Sequence, residues 1–423
     1  MIYLPCMRKR LQRFWKSLGP GLVTGAAGND PSAITVYAIG GARFGPAALW
    51  LLLYALPLMI AIQDMCSRIG ALSGCGLAGN IKKHYPAWIL APVAVSIVIV
   101  NVLNVGANIY GMAGAVNLLV PLPTSLLALL LSGTIMVMVV NLRYTHIVSI
   151  FKWFALSLFV YGVALLLTRP DWGLIIRNLL IPSFESSRDY LITAFAILGT
   201  TISPYLFFWQ ASEEADEIRQ ARPHIRVCSF RPASPSFLKK VKMDTRIGMA
   251  MSNIIGTFIM SVTAMTLWRA GIQDIGTLRD AASALEPLAG SLASVFFMVG
   301  VVGSGLLAIP ILAGSAAYVV AELFGWDASL DKPYSKARQF YLVMLAAVAV
   351  SMVTPFIGIT PVQALFWVAL LNGALTPPLI LLISHMAANP KIVGENTTSQ
   401  RGHVFGMLAF CIMLTGSFIV LFF

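Results

Sequence analysis

The sequence predicts an all-α integral membrane protein. It has eleven transmembrane helices, the first ten forming a 5+5 inverted repeat in which helices 1 and 6 are broken. Three observations predict this. Of 423 residues, 58% are hydrophobic and only 11% charged, where a soluble protein holds about 25% charged residues. Eleven segments reach the roughly 20 apolar residues that span a bilayer. Finally, Pro31 and Pro204 interrupt two segments that lie five places apart. Because five is odd, the second half has the opposite topology, and paired interrupted helices at corresponding places point to a transport site.

The elements follow in order. Residues 1–17 form a basic cytoplasmic N-terminus whose apolar run is too short for a signal peptide. Spans lie near 18–41, 46–70, 89–118, 123–141 and 144–167 in the first repeat (18–167), followed by an extracellular loop, 168–189. The second repeat (190–386) has spans near 190–214, 246–269, 289–323, 338–357 and 361–386, with a basic cytoplasmic loop at 217–245. A cytoplasmic loop, 387–402, leads to helix 11 at 403–423. Lysine and arginine concentrate in the even connectors, which places the N-terminus in the cytoplasm and the C-terminus outside. The net charge of +12 therefore belongs to loops facing anionic lipid, or to a partner of loop 217–245, and not to nucleic acid.

The five cysteines (Cys6, Cys66, Cys75, Cys228, Cys411) are scattered and lack CxxC spacing, which argues against a disulfide framework or a zinc site. The histidines lack HxxxH spacing. No HExxH or GxSxG motif is present, so an enzyme is not expected, and no cofactor is implied.

The chemistry concentrates at the two breaks. Pro31 lacks an N–H and frees carbonyls one turn upstream, those of Ala26 and Ala27; Pro204 does the same near Thr200 and Thr201. Freed carbonyls at membrane depth need a partner from protein, water or an ion. Asp30 adds a carboxylate where burial is costly, which marks it as a cation ligand or as the partner of a buried base. The available bases, Lys152 and Arg338, sit near helix ends. Pro204 alone reads equally well as a simple kink. Asp64 pairs with Arg68 one turn on or serves a gate, with Gln63 beside it. Glu213, Glu214 and Asp216 are solvated at a helix end or attract departing cations. Asn253 and Asn372 hydrogen-bond between helices or line a pathway.

GPGLVTGAAGNDPSAIT resembles the first helix of the natural resistance-associated macrophage protein (Nramp) divalent-metal transporters, whose motif is Asp-Pro-Gly-Asn after Gly-Pro-Gly. Here Asp30-Pro31-Ser32-Ala33 stands at that motif, and Ser203-Pro204-Tyr205 stands at the sixth-helix Met-Pro-His. DTRIGMAMSNIIG and QALFWVALLNG are also similar to the family, and the resemblance spans about residues 17 to 390. It implies an amino-acid/sodium-symporter-like fold in a bacterial-type inner (plasma) membrane, with a divalent metal ion as the transported partner. The implied ligands are Asp30, the carbonyls of Ala27 and Thr200, and Ser203; Ala33, Tyr205, Asn108 and Asn372 are implied pathway residues.

Two departures set the expected selectivity and coupling. The family's asparagine is Ala33 here and its thioether is Ser203, leaving oxygen ligands that suit Mg²⁺ or Mn²⁺. That pattern is similar to the divergent bacterial branch that includes magnesium transporters. The family's histidine position is Tyr205, and the third helix carries Asn104 and Asn108 without an acid. None of these titrates near neutral pH, which implies weak or absent proton coupling. The alternatives are a proton-coupled Mn²⁺/Fe²⁺ transporter, or a sodium-coupled organic-solute symporter of the same fold.

Overall fold

The computed structural model describes residues 19–141, 158–221, 228, 230 and 233–422. The first half runs through α1 (Pro20–Ala27), α2 (Pro31–Phe44), α3 (Leu49–Ser73), α4 (Leu77–His84), α5 (Ala87–Asn117), α6 (Thr124–Asn141) and α7 (Val160–Leu167). After α8 (Trp172–Leu180) come α9 (Arg188–Thr201), α10 (Pro204–Ala221), α11 (Pro235–Thr263), α12 (Ala293–Phe324), α13 (Arg338–Ser351), α14 (Pro361–Ala388) and α15 (Gln400–Phe422). No strand occurs among the described residues.

Nine stretches among the described residues are long and apolar enough to cross a membrane, two of them covering helix pairs, Pro31–Ser73 and Arg188–Gln220. Of the expected fifth span, near 144–167, residues 144–157 lie outside the described residues, Lys152 among them. Exposed leucine, isoleucine and valine side chains sit on the outer faces of α5, α6 and α15, for example Ile99, Leu130 and Leu421. With lipid as solvent, such faces need no protein cover.

Both breaks fall where proline predicts them. Helix 1 is α1 plus α2, and helix 6 is α9 plus α10. Around them the interior is close-packed by glycine. A Cβ on Gly25 would lie 2.1 Å from the Gly248 carbonyl oxygen, so α1 and α11 touch backbone to backbone. A Cβ on Gly199 would lie 2.3 Å from the Ala369 oxygen, which sets α9 equally close to α14.

Three differences from the sequence reading concern loops. The 217–245 stretch is entered from both sides by helix, because α10 continues to Ala221 and α11 begins at Pro235. Ser234 is the reason for the early start: its Oγ accepts from Phe237 N at 3.3 Å, with proline at the first helical position. The 168–189 loop contains α8, which Asp171 caps by accepting from Leu174 N at 3.0 Å. Cys75 and Cys228 form a disulfide with their Cα atoms 4.9 Å apart, against the expectation from cysteine spacing. Cys66 and Cys411 are free.

Candidate metal site at the two helix breaks

The first break is built around Asp30, which is 3% exposed. It is the N-cap of α2 and accepts from Ala33 N at 2.8 Å. That bond satisfies a backbone donor which a helix start leaves open. Its second oxygen accepts from Asn108 Nδ2 at 2.9 Å, and Asn108 Oδ1 in turn accepts from Ser32 N at 3.0 Å. Asn108 thus ties the carboxylate to the first turn of α2. Ser32 Oγ donates to the Leu365 carbonyl at 2.8 Å, tying the break to α14.

The second break seals itself with hydroxyls. Ser203 Oγ lies within donating distance of two carbonyls, Gly199 O at 2.9 Å and Thr200 O at 2.7 Å. Thr376 Oγ1 reaches Ile202 O at 3.0 Å and its own Asn372 O at 2.7 Å. Tyr205 OH crosses to the other break and donates to Ala27 O at 3.0 Å. Tyr37 OH and Thr201 Oγ1, 3.1 Å apart, make a second link. The two carbonyls that the family resemblance singles out, Ala27 and Thr200, therefore each carry one hydroxyl donor. A carbonyl oxygen has two lone pairs and an ionised carboxylate about four acceptor sites. Asp30, Ala27 and Thr200 all retain acceptor capacity.

The remaining sequence candidates divide. Asn372 pairs with Asn104 through both amides, at 2.9 and 3.3 Å, an interhelical clasp between α5 and α14. Ala33 is fully buried and takes part through its N–H. Asp64 pairs with Arg68 at 3.2 Å, the one-turn partnership its spacing predicts. Glu213, Glu214 and Asp216 are buried and not solvated at a helix end, because α10 runs on past them to Ala221 and reaches the surface only from Glu217. Glu213 accepts from Tyr318 OH at 2.8 Å. Asn253 is buried with its Nδ2 unpaired.

Two buried polar residues, Asn29 at the first break and Gln63 within α3, carry more than their sequence context suggests. Asn29 is fully buried; its Nδ2 donates to Ser252 Oγ at 3.1 Å while its Oδ1 has no hydrogen bond. Gln63 is fully buried with both amide atoms unpaired. The only sequence signal for Asn29 is a second polar residue immediately before Asp30. Among the described residues no three His, Cys, Asp or Glu side chains gather into a metal cage. Any cation at the breaks is held by one carboxylate with carbonyl, amide and hydroxyl oxygens. A cavity of about 750 Å³ lies elsewhere, at the corner of α4, α10 and α12 beside Lys82, Arg219 and Glu322.

Known proteins resemble the chain as a whole. The family model described as natural resistance-associated macrophage protein-like matches residues 21–422. A divalent metal cation transporter MntH from Chromohalobacter salexigens is 26% identical over 313 residues, covering 73% of this chain and 68% of that relative. The MntH of Yersinia pestis is 24% identical over 422 residues, covering 96% and 95%. Among solved structures, a mutant of the Eremococcus coleocola manganese transporter aligns with TM-score 0.72 at 18% identity, over 96% of this chain and 87% of that one. A Na⁺-coupled sialic acid symporter aligns with TM-score 0.59 at 12% identity, over 95% and 89%. At these identities the structures speak for the fold alone.

Proposed function

The chain belongs to the natural resistance-associated macrophage protein-like family, and from that premise we propose that it is a secondary transporter importing divalent metal cations by alternating access. Its favoured ions are Mg²⁺ or Mn²⁺, and its proton coupling is weak or absent. The observation that carries this reading is Asp30, a carboxylate buried where two broken helices meet. Two half-helices, α1 and α9, also end there with their negative dipole ends. The surrounding donors are oxygen, which suits a hard divalent ion that keeps part of its water shell. Ser203, standing where a thioether would select softer metals, supports the same preference.

The coupling proposal rests on the groups bonded around Asp30. They are Asn108, Ala33 and, through Asn108, Ser32, none of which exchanges a proton near neutral pH. A divalent cation moving inward gains about 4.6 kcal/mol per 100 mV, twice the single-charge value, so membrane potential alone supplies a driving force. On this reading the cytoplasmic face is the one with Lys82, Lys83 and Arg219, which line one cavity, and the N-terminus lies on that side by the distribution of basic residues. On this reading the protein is not an enzyme, and the metal is its substrate. The names of the relatives support divalent metal and, for the Eremococcus protein, manganese. A second reading is proton-coupled Mn²⁺ uptake, in which Asp30 itself trades a proton for metal; the relatives' names bear on its metal alone.

Reconstituted protein offered Mg²⁺, Mn²⁺, Fe²⁺, Cd²⁺ and Ca²⁺, with lumenal pH recorded, separates these readings. Mg²⁺ or Mn²⁺ uptake driven by potential without lumenal acidification supports the first. Uptake with stoichiometric acidification supports the second, and no divalent uptake ends both.

A further inference from the structure

We infer a second divalent-cation site on the way out of the breaks, formed by Gln210 and Glu214 of α10 with Asp244 of α11. It rests on the proposed transport function and extends it from one binding position to two. Gln210 and Glu214 lie seven and eleven residues after Ser203, so they continue one face of α10 away from the break. At 1.5 Å of rise per residue, Glu214 lies roughly 16 Å along the helix from Ser203.

Three observations mark these residues as a site. Gln210 is 0% and Glu214 2% exposed, yet Gln210 Oε1 and Glu214 Oε1 take no hydrogen bond. One acceptor oxygen on each of two side chains a helical turn apart is thus buried without a hydrogen bond, the Gln210 amide being the neutral donor beside the Glu214 carboxylate, an arrangement that costs free energy unless a positive partner arrives. Next, the charged neighbours of Glu214 are Glu217, Asp244 and Glu213, all acids. Lys240 is the base facing Glu217 and Asp244. Lastly, the Gln210 amide is committed: its Nε2 donates to Thr245 Oγ1 at 2.8 Å, which fixes α10 against α11 beside Asp244.

Asp244 connects the site to movement. Its two oxygens accept from Gly19 N at 3.0 Å and Gly21 N at 2.7 Å, so the start of α1 supplies the positive charge that Asp244 needs. A cation arriving between Glu214 and Asp244 competes for those same oxygens. It thereby replaces the α1 terminus and loosens α1 from α11. All donors are oxygen, as a hard divalent cation requires.

The test counts Mn²⁺ bound to the full-length chain in detergent, by equilibrium dialysis and electron paramagnetic resonance. The Asp30→Ala chain is expected to keep one bound Mn²⁺, and the Asp30→Ala/Glu214→Gln chain to lose it. Glu214→Gln keeps the shape and removes a buried charge, so its melting temperature is expected to hold. If Asp30→Ala binds none while the wild type binds one, the second site is overturned and the transport reading stands. If the double variant still binds one, Glu214 is not a ligand. If the wild type binds none, the transport reading itself falls. Hydrogen exchange gives the independent check: Mn²⁺ added to the Asp30→Ala chain is expected to speed exchange of the amides of residues 19–27. Unchanged or slower exchange there overturns the competition with α1.

Discussion

The two breaks occupy equivalent places in the repeat and have solved the same backbone problem differently. At the first, a charged side chain caps the new helix: Asp30 accepts from Ala33 N and is steadied by Asn108. At the second, neutral hydroxyls cover the freed carbonyls, with Ser203 over Gly199 and Thr200, and Thr376 over Ile202. One break therefore carries a carboxylate, and the other only neutral groups. The difference teaches that a proline in a membrane helix does not by itself make an ion site. What distinguishes the two is whether the partners of the freed groups leave net charge and spare lone pairs.

Removing the charge is the strongest way to break the comparison. Asp30→Ala is expected to lower metal uptake into proteoliposomes by about 100-fold or more, equivalent to ~2.7 kcal/mol of ion affinity. The protein should remain monodisperse; uptake within a few-fold of wild type would remove Asp30 from the site. Next in size is Asn108→Asp, which sets a second carboxylate where an amide lies 2.9 Å from Asp30. Two carboxylates at such a distance share a proton. Uptake at acid pH is then expected to fall by about tenfold, because metal entry must expel that proton. A flat pH profile for this variant would show that the amide does not keep the site uncoupled.

Ser203→Met sharpens the second break. It is expected to shift the preference several-fold from Mg²⁺ towards Mn²⁺ and Cd²⁺ by adding a soft ligand, read by competitive uptake. No shift would mean that position 203 does not face the ion. The smallest effect belongs to Tyr205→Phe, which deletes the donor to Ala27 that joins the two breaks. A single hydrogen bond contributes about 1 kcal/mol, so melting should drop by about one degree with ion preference unchanged.

The breaks were legible because proline leaves a local mark: it lacks an N–H, and its effect falls within one turn. The long helices were legible for a similar reason, since apolar length is a property of one segment. Asp30 stood out as an acid in such a segment. What the sequence did not disclose depends on pairs far apart in the chain. Asp244 caps α1 across 225 residues, and Cys75 meets Cys228 across 153. The hydroxyl of Tyr205 finds Ala27 at a separation of 178. Glu213, Glu214 and Asp216 resembled a solvated helix end because an acid-rich run usually is one. Their burial follows from the packing of α10 against α3 and α12, which no single segment records. The short helices α4 and α8 escaped for the opposite reason, being too brief for periodicity to resolve.

The central claim is that the cation sits at Asp30, between the two breaks. Crystals of the full chain soaked in Mn²⁺ and measured at the manganese absorption edge test it most directly. The account predicts an anomalous peak within about 2.5 Å of an Asp30 carboxylate oxygen, facing the carbonyls of Ala27 and Thr200. A well-occupied peak elsewhere, with none at Asp30, would contradict it.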